Sequence, residues 1–152
     1  TPTITTIDSD TDFGYTSIAI GNSGNPVISY YDDTSGDLRV AACTTADCSG
    51  TPTITVIDSD SDVGVETSIA ISSNGYPVIS YYDHTNENLK VAACTTADCT
   101  GTPTITTADS INIVGRYSSI AIGSRGNPII SYYDATNGDL KVAAMWYREL
   151  PQ

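Results

Sequence analysis

The hydrophobic residues of this chain occur in short clusters that are separated by polar turns rich in Gly, Asn and Asp. The clusters SIAI, VISYY and LRVAAC begin at Ser17, Val27 and Leu38. Their β-branched and aromatic residues, without a 3.6-residue period, predict strands and no substantial helix. The segment TPTITVI at residues 51–57 alternates Thr with Ile or Val, which predicts a fourth strand at a half-exposed sheet edge.

This pattern occurs three times along the chain. The segments TPTITTID, TPTITVID and TPTITTAD begin at Thr1, Thr51 and Thr102, and each is followed by SIAI, ISYYD and VAA. We therefore predict one repeat domain, 1–152, with repeats at 1–50, 51–101 and 102–152. The predicted fold is all-β, with three four-stranded antiparallel repeats of about 50 residues.

The motif G-x-x-G-N-P-V-I-S-Y-Y-D-x-T-N-G-D-L-K-V-A resembles the repeats of bacterial extracellular β-propeller arrays. It is also similar in outline to NHL-type and Asp-box blades, and the resemblance implies β-propeller blades. Residues 29–32 depart from the S-x-D spacing of an Asp-box, so sialidase chemistry is not expected. A β-trefoil is the alternative fold, but the small residues Ala19, Ala41 and Ala42 on the inner strands favour stacked blades.

The order of the strands predicts self-assembly. The chain opens with an outer strand and ends with MWYRELPQ in place of the last CTTADC and outer strand. Propellers close with four to eight blades, so three blades leave open ends. We expect the first strand to complete the last blade of another copy, in a closed ring or a filament, unless the chain is a fragment of a longer array. The expected assembly residues are Thr3, Ile4, Thr5, Trp146 and Tyr147, although Trp146 and Tyr147 also suit a simple cap.

The charge narrows the range of partners. The chain carries 18 acidic and 6 basic residues, a formal net charge of −12. This balance disfavours nucleic acids and anionic membrane surfaces, which need clustered Lys and Arg. No apolar run approaches the ~20 residues that span a bilayer. The expected partners are therefore further copies of the chain and neutral glycans.

Four cysteines form two identical ACTTADC segments, at Cys43 and Cys48 and at Cys94 and Cys99. Zinc sites favour a C-x2-C spacing with His partners, and the only histidine is His84. Each pair lies where two predicted strands meet, which favours a disulfide across a short connection. Disulfides persist in oxidising compartments, so we expect an extracellular or cell-surface protein.

The repeated Tyr-Tyr-Asp is the candidate ligand-binding motif. A tyrosine ring can stack on a sugar, and an aspartate at a strand end can accept its hydroxyl protons; several copies would form multivalent sites. Alternatively, the aspartate caps the following turn while the tyrosines pack. The candidate residues are Tyr31, Asp32, Tyr82, Asp83, Tyr133 and Asp134.

Two acidic loops, IDSDTDFG and IDSDSDVG, resemble the start of a Ca²⁺-binding loop. The Glu that completes such a loop is missing, and the third repeat keeps only Asp109, so solvated acidic loops are the alternative. No other cofactor is expected. The candidate Ca²⁺ ligands are Asp8, Asp10, Asp12, Asp58, Asp60 and Asp62.

Nothing in the sequence indicates nucleophilic catalysis. His84 occurs once, in a turn, and Asp33 and Ala135 replace it in the other repeats. No G-x-S-x-G, Walker or H-E-x-x-H motif is present. We predict a non-catalytic extracellular structural module that assembles by strand exchange. The alternative is a carbohydrate-binding propeller lectin that uses the Tyr-Tyr-Asp motif.

Overall fold

A computed structural model describes residues 2–10 and 12–145. These residues contain eleven strands in three antiparallel sheets, and no helix. The first sheet has the order β1-β2-β3-β4, the second β5-β6-β7-β8 and the third β9-β10-β11. The strands are β1 Phe13–Ile20, β2 Pro26–Asp32, β3 Asp37–Ala42, β4 Thr53–Asp58, β5 Val63–Ile71, β6 Pro77–Asp83, β7 Asn88–Ala93, β8 Thr104–Asp109, β9 Val114–Ile122, β10 Pro128–Asp134 and β11 Asp139–Ala144.

The all-β prediction is confirmed, with two differences in the strands. The first strand of each repeat is longer than predicted, because it continues through a bulge at Tyr15, Glu66 or Tyr117, each of which has a positive φ. Residues 2–8 form no strand, although a nearly identical sequence forms β4 and β8. The third sheet has three described strands, β9, β10 and β11.

The three sheets stack face to face through two hydrophobic clusters. Leu38 and Val40 of the first sheet pack with Ile79 and Tyr81 of the second. Leu89, Val91, Ile130 and Tyr132 form the equivalent cluster between the second and third sheets. Three separate sheets stacked in this way agree with propeller blades and not with the single barrel of a β-trefoil.

Close backbone approach at each junction depends on glycine. Gly64 has φ 102°, and a Cβ atom built on it would lie 2.7 Å from Leu38 Cα. Gly115 lies in the same way against Leu89 of the second sheet. A side chain at either position would push neighbouring sheets apart.

Candidate functional site

The first tyrosine of the second and third Tyr-Tyr-Asp motifs joins neighbouring sheets. The hydroxyl of Tyr81 in β6 donates to Asp58 Oδ2, at the end of β4, over 2.7 Å. Tyr132 in β10 donates to Asp109 at the end of β8 over the same distance. Burial, reinforced by the carboxylate, raises the pKa of both hydroxyls above the ordinary value. Both therefore remain protonated donors at neutral pH.

The first repeat has the same bond without a preceding sheet. Tyr30 donates its hydroxyl to Asp8 Oδ2 over 2.9 Å. Asp8 thus takes the position that the end of an outer strand takes at the other two junctions. Residues 2–6 are exposed, and Ile4 retains 91% of its accessible surface. The segment before Asp8 therefore resembles β4 and β8 in sequence but pairs with none of the described sheets.

A lysine links the same aspartates to those of the turns. Lys90 Nζ lies 3.1 Å from Asp58 Oδ2 and 3.4 Å from Asp83 Oδ2. Burial opposes the charge of Lys90, but the two carboxylates outweigh it and raise the lysine pKa above its usual value. Lys141 is placed in the same way in the third repeat. Each lysine therefore compensates one of the two negative charges of its pair of carboxylates.

The aspartates of the motif cap the turns that follow them. Asp32, Asp83 and Asp134 are buried. Asp134 Oδ1 accepts bonds from the backbone N–H groups of Thr136 and Asn137, both at 3.1 Å. These contacts favour the turn-capping interpretation, because oxygens engaged in the turn are not presented to a ligand.

The second tyrosines have three different environments. Tyr31 donates its hydroxyl to Asp62 Oδ1 over 2.6 Å. Tyr82 is buried beneath Arg116, whose Cζ lies 5.8 Å from the ring centroid. Tyr133 is 36% exposed, because no described sheet covers it. Of the three predicted ligand-binding tyrosines, only Tyr133 offers ring surface to solvent.

A cluster at the bulges of the second and third repeats was not predicted from the sequence. The carboxylate of buried Glu66 accepts the N–H of Tyr117 and lies 3.8 Å from Arg116. The Arg116 guanidinium lies 5.4 Å from the Tyr117 ring centroid, and the Tyr117 and Tyr133 rings are 6.2 Å apart. The available signal was an extra residue in VGVETS and VGRYSS relative to FGYTS.

The six predicted Ca²⁺ ligands do not converge. Asp8 and Asp58 accept tyrosine hydroxyls, and Asp62 contacts Tyr31 and His84. Within residues 2–10 and 12–145, no group of three His, Cys, Asp or Glu side chains is arranged to hold a metal ion. The geometry favours acidic loops that bond to their own neighbours.

Both cysteine pairs form disulfides, Cys43–Cys48 and Cys94–Cys99. Each closes the loop between the third and fourth strands of its sheet. Cys94 and Cys99 also pack with Val27 of the first sheet. The disulfides fit a protein of an oxidising compartment, and the described residues include no helix able to span a membrane.

The two ends of the stack expose residues that are buried at the internal junctions. Leu140 is 81% exposed and Val142 62%, whereas Leu38, Leu89 and Val40 are 0% exposed. At the opposite end, Ile18 is 60% exposed, while its equivalents Ile69 and Ile120 are 6% and 8% exposed. A groove of about 490 Å³ runs over this first face, lined by Thr6, Ile7, Asp8, Phe13, Ile18 and Tyr30 among others. Of the predicted assembly residues, Thr3, Ile4 and Thr5 are exposed, and Trp146 and Tyr147 lie outside the described residues.

Several solved protein structures have a fold similar to that of this chain. A thermostable family-43 glycoside hydrolase matches with a TM-score of 0.59 and 14% identity, over 91% of this chain and 50% of that one. A fucose lectin from Kordia zhangzhouensis, in complex with methyl-fucoside, matches with a TM-score of 0.51 and 10% identity, over 86% of this chain and 91% of that one. A GH43 β-1,3-galactosidase matches with a TM-score of 0.52 and 12% identity, over 86% of this chain and 32% of that one.

The chain has a β-propeller fold, since these neighbours are β-propellers. It spans half the length of the first glycoside hydrolase and a third of the second. No family model and no curated protein matches the sequence. Because the identities are so low, the similarity extends to the fold alone.

Proposed function

We propose that this protein is a non-catalytic extracellular structural module whose open stack of blades is completed by another copy. The observation that carries the proposal is the exposure of Leu140 and Val142, at 81% and 62%. The residues at the same positions in the first two repeats are buried. Burial of one such side chain contributes roughly 1.5–3 kcal/mol, so covering this face is favourable. The internal junctions provide the template for the covering surface.

The two end faces have complementary polar groups. At the internal junctions, Ser29 pairs with Thr67 and Ser80 with Ser118, both at 2.9 Å. The equivalents left at the ends are Ser131 on the third sheet and Thr16 on the first. A second copy that places its first sheet against the third sheet would form the same hydroxyl pair.

The N-terminal segment supplies the missing outer strand in this arrangement. In the first sheet Leu38 is paired with Asp58, Ala41 with Ile54 and Ala42 with Thr53. The second sheet repeats this register. The equivalent pairing between copies joins Leu140 to Asp8, Ala143 to Ile4 and Ala144 to Thr3. Asp8 would then end the outer strand of one copy's last blade and still accept the hydroxyl of its own Tyr30.

The mass of the native particle tests this proposal. We expect a multiple of 16.0 kDa by sedimentation or light scattering. Leu140→Asp should reduce the particle to a folded monomer, because Leu140 is exposed within one chain. Ile105→Asp, at an exposed position of β8 away from both end faces, is the matched control and should keep the wild-type mass. A stable wild-type monomer at high concentration contradicts the proposal.

Carbohydrate binding is a second candidate function, favoured by one surface. Tyr117 and Tyr133 lie side by side, with Arg116 over Tyr117. Exposed aromatic rings stack on the apolar faces of sugars, and a guanidinium donates to their hydroxyls. The structural neighbour that is a fucose lectin is compatible with this role.

A glycan array and titration with methyl-fucoside test this second function. Tyr117→Ala should abolish any binding at this surface, and Tyr76→Ala, in the turn before β6, should leave it unchanged. If no glycan binds, or if binding survives Tyr117→Ala, this surface is not a carbohydrate site.

A further inference from the structure

The disulfide loop of the second repeat forms part of an internal junction. Cys94 and Cys99 belong to the hydrophobic cluster that contains Val27 of the first sheet. A cavity of about 450 Å³ separates the polar part of the loop from the β1–β2 turn of the first sheet. Its lining includes Asn22, Ser23 and Asn25 on the turn and Thr96, Asp98 and Thr100 on the loop. The loop of one blade therefore faces the turn of the preceding blade.

The loop of the first repeat has the same shape but no blade to face. Asp47 Oδ1 accepts the hydroxyls of Thr45 and Ser49 at 3.0 and 2.8 Å, as Asp98 Oδ1 accepts that of Thr100 at 2.8 Å. Cys48 is half-buried, however, whereas its equivalent Cys99 is completely buried. The first loop is thus preformed, which reduces the ordering cost of binding a partner.

This loop carries an exposed negative charge. Every hydrogen bond described for the Asp47 carboxylate ends on Oδ1, and the residue is exposed to solvent. The hydroxyl and N–H of Ser49 lower the pKa of Asp47, so the carboxylate is ionised at neutral pH. A partner that carries a cation at the equivalent turn position would complement it.

The turn of the third blade carries that cation. Arg125 occupies the position of Ser23 in the first turn and Asn74 in the second. It is exposed and forms no ion pair with any of the described residues. Beside it, Ile129 is 38% exposed, whereas its equivalents Val27 and Val78, which lie under a neighbouring blade, are 4% and 2% exposed. The open end of the stack thus offers the apolar and polar parts of a loop-docking surface, with an added positive charge.

We propose that the Cys43–Cys48 loop of one copy docks on the β9–β10 turn of a second copy, with Asp47 paired to Arg125. This inference rests on the proposed self-assembly and names the contact that selects the partner. In a chain of net charge −12, association of copies is opposed by repulsion, and a cation at the contact offsets it locally. Because the other two turns lack a cation, the pair directs the loop to the open end of the stack.

A double-mutant cycle of association tests the pair without disturbing the loop. Asp47→Asn keeps the Oδ1 acceptor and removes the charge. We expect Arg125→Glu to weaken association about tenfold, since it sets two carboxylates face to face. Adding Asp47→Asn should restore most of that loss, and Arg125→Gln alone should weaken association about threefold. Asp60→Asn, on an exposed loop distant from this surface, is the charge-matched control for Asp47→Asn and should not rescue Arg125→Glu.

The outcomes separate this inference from the proposed function. If the wild-type chain assembles but Arg125→Glu associates equally well, or is not rescued by Asp47→Asn, the loop contact is wrong and the assembly proposal stands. If the wild-type chain remains a monomer, both are wrong.

Discussion

The second and third sheets are built from nearly the same residues but differ in what covers them. Leu89 and Val91 are 0% and 1% exposed, while Leu140 and Val142 are 81% and 62% exposed. The strands that carry them, NLKVAA and DLKVAA, differ at one residue. Local sequence therefore sets strand, turn and register, whereas burial depends on whether a further blade follows.

The largest expected effect is at the glycine junctions. Gly64→Ala should destabilise the fold by at least about 3 kcal/mol, because the new Cβ would overlap Leu38 backbone atoms at a position with positive φ. Gly14→Ala, at the same place in the first sheet, meets only Tyr31 at 3.7 Å and should cost far less. Urea unfolding of both variants measures the difference, and equal losses would refute the importance of blade-to-blade approach at Gly64.

Truncation of the two equivalent leucines should affect stability differently in the second and third sheets. Leu89→Ala should cost about 2–5 kcal/mol, since it opens a cavity between two sheets. Leu140→Ala should change the stability of the isolated chain by less than about 0.5 kcal/mol. Denaturation at low protein concentration gives both values. If Leu140→Ala proves as costly as Leu89→Ala even in the monomer, the third sheet is covered within one chain.

The tyrosine–aspartate bonds provide a smaller contrast. Tyr81→Phe should cost about 1.5–3 kcal/mol, because the fully buried hydroxyl donates to a charged group. Tyr30→Phe should cost less, because Asp8 lies on a segment outside any sheet and can turn to water. Thermal unfolding distinguishes the two. A larger loss of stability for Tyr30→Phe than for Tyr81→Phe would contradict this expectation. It would mean that the N-terminal segment is more ordered than its lack of strand pairing indicates.

Acid titration provides the smallest contrast. The hydrogen bond from the Asn137 side chain lowers the pKa of Asp134 below its ordinary value, and this effect exceeds the opposing effect of burial. A carboxyl group whose pKa is lower in the folded state stabilises the fold at a pH above its unfolded-state pKa, which is near 4. This stabilisation is lost as the pH falls through the folded-state pKa. Asp134→Asn should therefore flatten the decline in stability below about pH 4. An unchanged slope in the pH dependence of unfolding would contradict this assignment.

Much of the architecture follows from the sequence. Most of the strands, the polar turns between them and the cysteine pairs are local features, and each of them was predicted from a few adjacent residues. The alternative roles of Asp32 and its equivalents were also foreseen. The structure favours the turn, because Asp32 accepts the backbone N–H groups of Thr34 and Ser35 and the Ser35 hydroxyl, all in the turn that follows it.

The Glu66–Arg116–Tyr117 cluster was not predicted from the sequence. It depends on a bulge that turns residues of two neighbouring blades toward each other. The sequence also did not indicate the partners of Tyr31 and Tyr82. These partners, Asp62 and Arg116, lie on the loop or strand that precedes the central strands of the next repeat. Contacts between residues 31 or 34 positions apart leave no periodic signal in one sequence.

The sequence by itself determined a threefold β repeat, most of its strands and the two disulfides. Only the tertiary structure decided which copies of the same residue are buried, because burial is a property of neighbouring sheets and not of a strand. Within the described residues, the first and third sheets each pack against one other sheet, whereas the second packs against two. That missing neighbour explains why Ile18 and Leu140 are exposed while their equivalents form the core.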